Sequence, residues 1–95
     1  MRNYEMALVV RPDLEEEQVE EFQAGLVELI TSFQGEIIEQ DNWGKRRLAY
    51  NVRDYREGFY FFVNFKGTPE LAKELDRVLK IADQVLRFMI LREGK

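Results

Sequence analysis

The 95-residue chain contains no cysteine and no histidine. Without cysteine there is no disulfide framework, no thiolate metal site and no cysteine nucleophile. Without histidine the commonest general base and the commonest metal ligand are missing as well. No apolar run approaches the ~20 residues of a membrane-spanning helix, and no charged-then-apolar leader precedes Tyr4. The expectation is a soluble protein that stays where it is made, for which a cytoplasmic location fits. The length suits one domain, residues 1–95, able to bury roughly 60–65% of its unfolded surface without covalent staples.

The charge that is present is unevenly placed. Lys and Arg number 14 against 18 Asp and Glu, a formal net charge of −4. Residues 13–21 hold Asp13, Glu15, Glu16, Glu17, Glu20 and Glu21 with no base. Acids at a helix start suit the helix dipole, and a solvated face accounts for this block. Residues 45–56 hold Lys45, Arg46, Arg47, Arg53 and Arg56 against Asp54 alone. A solvated face is the ordinary reading here too, but Arg and Lys interleaved with aromatics are the electrostatic footprint of nucleic-acid binders. The segment Gly44–Arg53 alternates like a strand, with Leu48, Tyr50 and Val52 on one side and Arg47, Ala49, Asn51 and Arg53 on the other. One side can anchor in a core while the other offers guanidinium groups to RNA phosphates.

In chain order, Arg2 to Val10 reads as a strand with Tyr4, Met6, Leu8 and Val10 on one face and Glu5, Ala7 and Val9 on the other. Pro12 stops it. Asp13 reads as a helix N-cap, with Glu16 in the place of a capping-box acid. The helix carries Val19, Phe22, Leu26, Leu29, Ile30 and Phe33 as its apolar stripe. Gly25 is expected to mark close packing onto a sheet, and Gly35 to close the helix. A second strand runs from Glu36 to Val52, with a bend or bulge at Asn42-Trp43-Gly44. Asn51 to Gly58 reads as a connection. Phe59 to Phe65 is strand, with Phe59, Phe61, Val63 and Phe65 facing the core and Tyr60 and Phe62 facing away. Thr68-Pro69-Glu70 opens a second helix with Leu71, Leu75, Val78, Leu79 and Ala82 as its stripe. Gln84 to Arg92 is a last strand, with Leu86, Phe88 and Ile90 in and Arg87, Met89 and Leu91 out. Glu93-Gly94-Lys95 is expected to fray.

Strand, helix, strand, strand, helix, strand is the split βαβ order of an α+β, ferredoxin-like sandwich: a four-stranded antiparallel sheet with two helices on one face. The other face is left uncovered, yet it would carry Ala7, Val9, Tyr60, Phe62, Met89 and Leu91. An apolar patch of that kind is a docking surface rather than a scatter of exposed side chains.

Gly44, Lys45, Arg46, Arg47, Leu48, Ala49, Tyr50, Asn51 and Arg53 fit the signature of the bacterial small-subunit ribosomal protein six family, with Val52 where the family usually has Ile. The opening Met1-Arg2-Asn3-Tyr4-Glu5 and the segment Arg11-Pro12-Asp13-Leu14 resemble the same family, and the likeness covers essentially the whole chain. The chain stops at Lys95, whereas many relatives carry a longer tail. The resemblance implies a structural constituent of the small ribosomal subunit. It implies binding to the central domain of 16S ribosomal RNA together with ribosomal protein eighteen as a heterodimer. It implies no catalysis, no cofactor, no small-molecule substrate and no membrane association.

Guanidinium groups bind phosphate in bidentate fashion. Arg47, Arg53 and Arg56, supported by Lys45, are therefore assigned to the RNA backbone, and Arg2 and Arg87 extend that surface. Arg46 has three open placements: the core rim, a pair with Asp41, or a pair with an acid on the partner. Trp43, Tyr60, Phe62, Met89 and Leu91 are assigned with it to the partner interface. Base stacking on Tyr60 and Phe62 is the lesser reading, because the glycine-aromatic run is one residue too long and one residue swaps strand faces. Tyr4 and Tyr50 are expected to pack inward with hydroxyls at the edge. Glu36 and Glu39, three apart in a strand, read as surface acids rather than an acid/base pair. The rival reading is a self-associating regulatory module of the same fold, with the apolar face in a homodimer and no RNA.

Overall fold

The computed structural model describes residues 1–93. Its elements are β1 (Arg2–Val10), α1 (Glu16–Ser32), β2 (Glu36–Val52), β3 (Tyr55–Gly67), α2 (Pro69–Ile81) and β4 (Val85–Arg92). The sheet order is β2-β3-β1-β4 and every neighbouring pair is antiparallel. The expected ferredoxin-like sandwich is what forms.

Period-two alternation decides which residues enter the core. Tyr4, Met6, Leu8 and Val10 of β1 are buried, as are Phe61, Val63 and Phe65 of β3. They meet Leu26 and Ile30 of α1 and Leu71, Leu75 and Leu79 of α2, whose three- and four-residue spacing makes one stripe per helix. Tyr4 stacks on Phe65 with ring centroids 5.4 Å apart. Helix α2 starts as read, with Thr68 Oγ1 accepting from the Leu71 N–H at 3.3 Å and Pro69 at the first helical position.

Several local expectations are corrected. The N-cap of α1 is Glu15 rather than Asp13, and the Glu15 N–H donates to Gln18 Oε1 at 2.9 Å. The Asp13 carboxylate is already occupied by Arg11 and by the Tyr55 hydroxyl. Glu16 is accordingly the first helical residue and no capping-box acid. Gly25 meets nothing within 4 Å and faces solvent. Gly35 does not supply the left-handed turn. Gln34 does, with φ +66°, while the Gly35 N–H reaches Ile30 O at 2.8 Å in a Schellman-type closure. Phe33 therefore lies past the helix end, more than a third exposed.

The connection from β2 to β3 is far shorter than Asn51 to Gly58. Only Arg53 and Asp54 turn, both at positive φ (50° and 68°), the signature of a type I′ hairpin turn. Gly58 lies inside β3 and is buried, and a Cβ there would stand 2.5 Å from Val9 Cγ1. One strand later, the register slips between Val9 and Val10 and leaves Leu86 as the extra residue on β4. Val85 thus enters the core, and Leu86 lies beside Val9 and Gly58 on the opposite face instead of facing in. At the C-terminus the Glu93 N–H donates to Asn3 O at 2.8 Å, so Glu93 is tied down. The rest of the expected frayed end, Gly94 and Lys95, lies outside the described residues.

Two glycines make opposite tests. Gly58→Ala is expected to destabilise the fold by about 1–3 kcal/mol, because Val9 and the Val10 carbonyl crowd the new methyl group. Gly25→Ala is expected to stabilise it by about 1 kcal/mol, because α1 gains helix propensity with nothing to hit. Urea midpoints of the two variants moving in the same direction would contradict this reading of the packing.

Candidate functional site

The open face of the sheet has three zones, fixed by cross-strand register. The central rows are Asp41–Phe62–Ala7–Met89 and Gly44–Tyr60–Val9–Arg87. Ala7, Val9, Tyr60, Phe62 and Met89 form a shallow apolar depression there, with Arg87 on its rim. Met89 and Leu91 are 52% and 47% exposed. Among the described residues, no helix or loop covers this platform. The assignment of these side chains to one contiguous surface holds.

Trp43 joins the platform through a bulge. The register shifts between Asn42 and Gly44, where Gly44 takes φ +76°, and Trp43 is the extra residue. Its ring meets Phe62 edge-on at 4.8 Å and is still 48% exposed. The indole N–H donates to Asp41 Oδ2 at 3.1 Å. Arg46 does not pair with Asp41, as one of its expected placements had it. Its Nε–H donates to the Trp43 carbonyl at 3.1 Å and its guanidinium lies over the indole, 5.3 Å from the centroid.

On one side of Trp43 and Phe62 lies an acidic concavity lined by Glu5, Glu39, Asp41 and Asn64. Register explains it: Glu5, Asn64 and Glu39 are neighbours in one row. Sequence reading made Glu39 a surface acid, put Glu5 on the outward face of β1 and offered Asp41 as a partner for Arg46; nothing local shows that positions 5, 39 and 41 converge. At the other end the same face carries Arg46, opposite Gly58, and Arg56, two residues from Gly58 on β3.

The basic residues do not form one patch. Lys45 and Arg47 sit opposite Phe59 and Glu57, on the helix side of the sheet, and Lys45 Nζ lies 5.3 Å from the Phe59 ring centroid. Arg87 lies on the open face opposite Val9. Arg2 pairs with Gly67 at the far end of β1, about 26 Å from Val10. The hairpin thus gathers Lys45, Arg46, Arg47, Arg53 and Arg56, with Arg87 near its base and Arg2 apart. Among the described residues, Arg2, Lys45, Arg47, Arg56 and Arg87 make no ion pair.

Tyr50 is a correction. It is 73% exposed, not packed inward. Between the pairs Arg47↔Glu57 and Val52↔Tyr55, β2 holds Leu48 to Asn51 while β3 holds only Arg56. The extra residues break the alternation, so Leu48 is buried and Tyr50 is not.

Arg53 has inward duties. Its Nη2 donates to Asp83 O at 3.1 Å and Val85 O at 2.9 Å, and Nη1 lies 3.7 Å from Asp83 Oδ1. Arg11 also bonds Asp83, and it donates to Asp13 through Nε at 3.1 Å and Nη2 at 3.0 Å. The Tyr55 hydroxyl donates to Asp13 Oδ2 at 3.2 Å, and the Arg11 guanidinium lies 5.9 Å from the Tyr55 ring centroid. The hydrogen bonds from Arg11, with those from Tyr55, hold the Asp13 carboxyl below its ordinary value of 3.8. The Arg11-Pro12-Asp13 string was the visible part of this cluster, but its partners lie 42 and 70 positions further along from Asp13.

Comparison with known proteins gives a consistent result. The family described as ribosomal protein S6 matches residues 3–92. The chain is 53% identical over 92 residues to the small ribosomal subunit protein bS6 of Moorella thermoacetica, covering 97% of this chain and 94% of that one. It is 51% identical over 95 residues to bS6 of Symbiobacterium thermophilum, with both chains covered in full. The crystal structure of 30S ribosomal protein S6 from Thermotoga maritima superposes with a TM-score of 0.91 at 24% identity, covering 97% of this chain and 87% of that one, a likeness of fold.

Because the folded-state pKa of Asp13 lies below its unfolded value, its share of stability is complete above that unfolded value and is lost as pH falls through the folded one. Acid unfolding below about pH 4 is therefore expected to begin at the hairpin–loop junction. Asp13→Asn should flatten that part of the pH–stability curve, and an identical acid limb in the variant would remove Asp13 from the account.

Proposed function

Because the chain belongs to the ribosomal protein S6 family of the small ribosomal subunit, whose members are structural proteins and not enzymes, we propose that it binds the central domain of 16S ribosomal RNA jointly with ribosomal protein eighteen. Its place is then in the ribosome, in the cytoplasm.

The observation that carries this reading is the open sheet face, an uncovered apolar platform with carboxylates at one end and guanidinium groups at the other. Trp43, Phe62 and Met89 supply the apolar and aromatic centre that anchors protein interfaces. Glu5, Glu39 and Asp41 beside them complement a basic polypeptide. Arg46 already covers one face of the indole and belongs to this interface. The hairpin end, with Lys45, Arg47 and Arg56, faces the RNA backbone, while Arg53, expected to join them, is turned onto Asp83 and the Val85 carbonyl, and Arg87 stands between the two surfaces. Arg2, at the far end of β1, would meet RNA at a separate point.

The mechanism is electrostatic and geometric. Guanidinium groups displace counterions from phosphates, and the partner adds positive charge that this acidic chain lacks. RNA affinity of the chain alone is then weak and rises sharply with the partner. The rival, a homodimer through the platform without RNA, would leave Lys45, Arg47 and Arg56 of the hairpin in solvent with no role.

Two measurements test the assignment. Met89→Asp should weaken partner binding at least ten-fold with little change in unfolding midpoint, because Met89 is half exposed in the free chain. Undiminished partner binding would move the interface elsewhere. Arg47→Ala, assayed as the complex on central-domain 16S RNA, should reduce the slope of log affinity against log salt by about 0.7–0.9, one phosphate contact. A slope equal to that of the unaltered complex would take Arg47 off the RNA.

A further inference from the structure

The hairpin that carries the cations extends past the rest of the sheet. The β1–β3 pairing ends at Val10↔Phe59, so Tyr55 to Gly58 of β3 pair with no strand but β2. A two-stranded ribbon with no third strand is marginally stable in water. Its turn adds strain, since Arg53 takes φ +50° without being glycine, asparagine or aspartate.

Three segments meet at that turn. The β1–α1 loop gives Arg11 and Asp13, the hairpin gives Arg53 and Tyr55, and the α2–β4 loop gives Asp83. Asp83 is the junction. Its carboxylate meets Arg11 and lies 3.7 Å from Arg53, and its carbonyl accepts from the same Arg53 guanidinium. The Arg11 N–H donates to Gln84 O at 2.8 Å, which fixes the loop that presents Asp83. Two arginines and two aspartates sum to zero, so the cluster adds no net attraction for a polyanion. What it adds is a fixed angle for the ribbon.

We infer that Asp83 is a positioning residue for RNA binding: it clasps Arg53 and Arg11 together and so holds Lys45, Arg47 and Arg56 in one orientation relative to the sheet. This rests on the RNA reading above. It makes a counterintuitive demand. Plain electrostatics says that deleting an acid beside a cationic arm strengthens polyanion binding, whereas a positioning role says that it weakens binding. Exposed ion pairs add little to global stability, and Asp83 is 77% exposed. The domain itself should therefore stay folded when the clasp is removed.

The test uses Asp83→Ala and Asp83→Glu, each with ribosomal protein eighteen, titrated on a central-domain fragment of 16S RNA over a range of salt. Asp83→Ala removes the carboxylate link between Arg11 and Arg53 but keeps the main-chain bonds of Arg53; it is expected to lower affinity about three- to five-fold and to reduce the salt slope by about 0.7–0.9, the signature of one lost phosphate contact. Asp83→Glu should restore both. Stronger or unchanged binding by Asp83→Ala overturns the inference. So does weaker binding at an unchanged slope, because a loss of folded protein scales affinity without altering the contacts. Amide exchange at Val52 and Tyr55 without RNA is the second readout, expected to quicken in Asp83→Ala, and unchanged exchange also overturns the clasp. Arg47→Ala is the reference: if it leaves the slope intact, the RNA assignment has failed and the exchange result alone judges the clasp.

Discussion

The structure depends on the two-faced alternation of β1. Tyr4, Met6, Leu8 and Val10 are sealed under two helices, and Glu5, Ala7 and Val9 are turned the other way. Because β1 pairs with both β3 and β4, its parity sets theirs. Phe62 and Tyr60 must follow Ala7 and Val9 outward, and Met89 must follow Ala7. With both helices on the other side, an apolar outer row has no cover among the described residues. The platform is thus a consequence of the core, enforced by register, because a one-residue slip would bury the charges and expose the core.

A second constraint is length. β2 spans 17 residues and β1 only 9, so the ribbon outruns its support. The surplus is used in two ways. Bulges at Ile38 and Trp43 bend the edge strand, and in doing so turn the indole onto the platform. Bulges, with the charges of β2, also blunt an edge that would otherwise invite strand addition. Past Phe59 the surplus becomes a cationic arm, held near its tip by contacts from the β1–α1 loop and from the segment joining α2 to β4.

The fold was legible because period-two and helical patterns agreed over long stretches: β1, the Glu36–Val52 strand, the Thr68-Pro69 helix start and the Trp43 bulge can each be read locally. What was not legible is what depends on distant partners. Asp13 has the chemistry of a cap, but Arg11 and Tyr55 take its oxygens first. Gly58 looks like a loop residue, but β1 needs the space that a side chain would fill. The two-residue turn at Arg53-Asp54 carries no glycine, so its sharpness was hidden. The same limit applies to the site. Arg47 could be placed on the hairpin from sequence, whereas the convergence of Glu5, Glu39 and Asp41, and the inward duties of Arg53, arise only from pairing across strands.

The charge of −4 is a poor guide to where a polyanion can approach. At physiological salt, exposed charges farther apart than roughly 8–10 Å hardly influence each other, so local layout decides. On the helix side, Glu16 and Glu20 line a groove with Trp43, Gly44 and Phe59, close to where Lys45 lies over the Phe59 ring. That side of the ribbon base presents acids beside its cations. At the tip, Glu57 stands opposite Arg47 and Asp54 sits in the turn, so the charge there is mixed, whereas on the open face Arg46 and Arg87 lie across the platform from the acidic concavity. Approach along the open-face end meets Arg46, Arg56 and Arg87 with the platform between them and Glu5, Glu39 and Asp41. A basic polypeptide over Glu5, Glu39 and Asp41 would neutralise the other end of the same face. At that separation the two ends of the face can be occupied together without opposing each other.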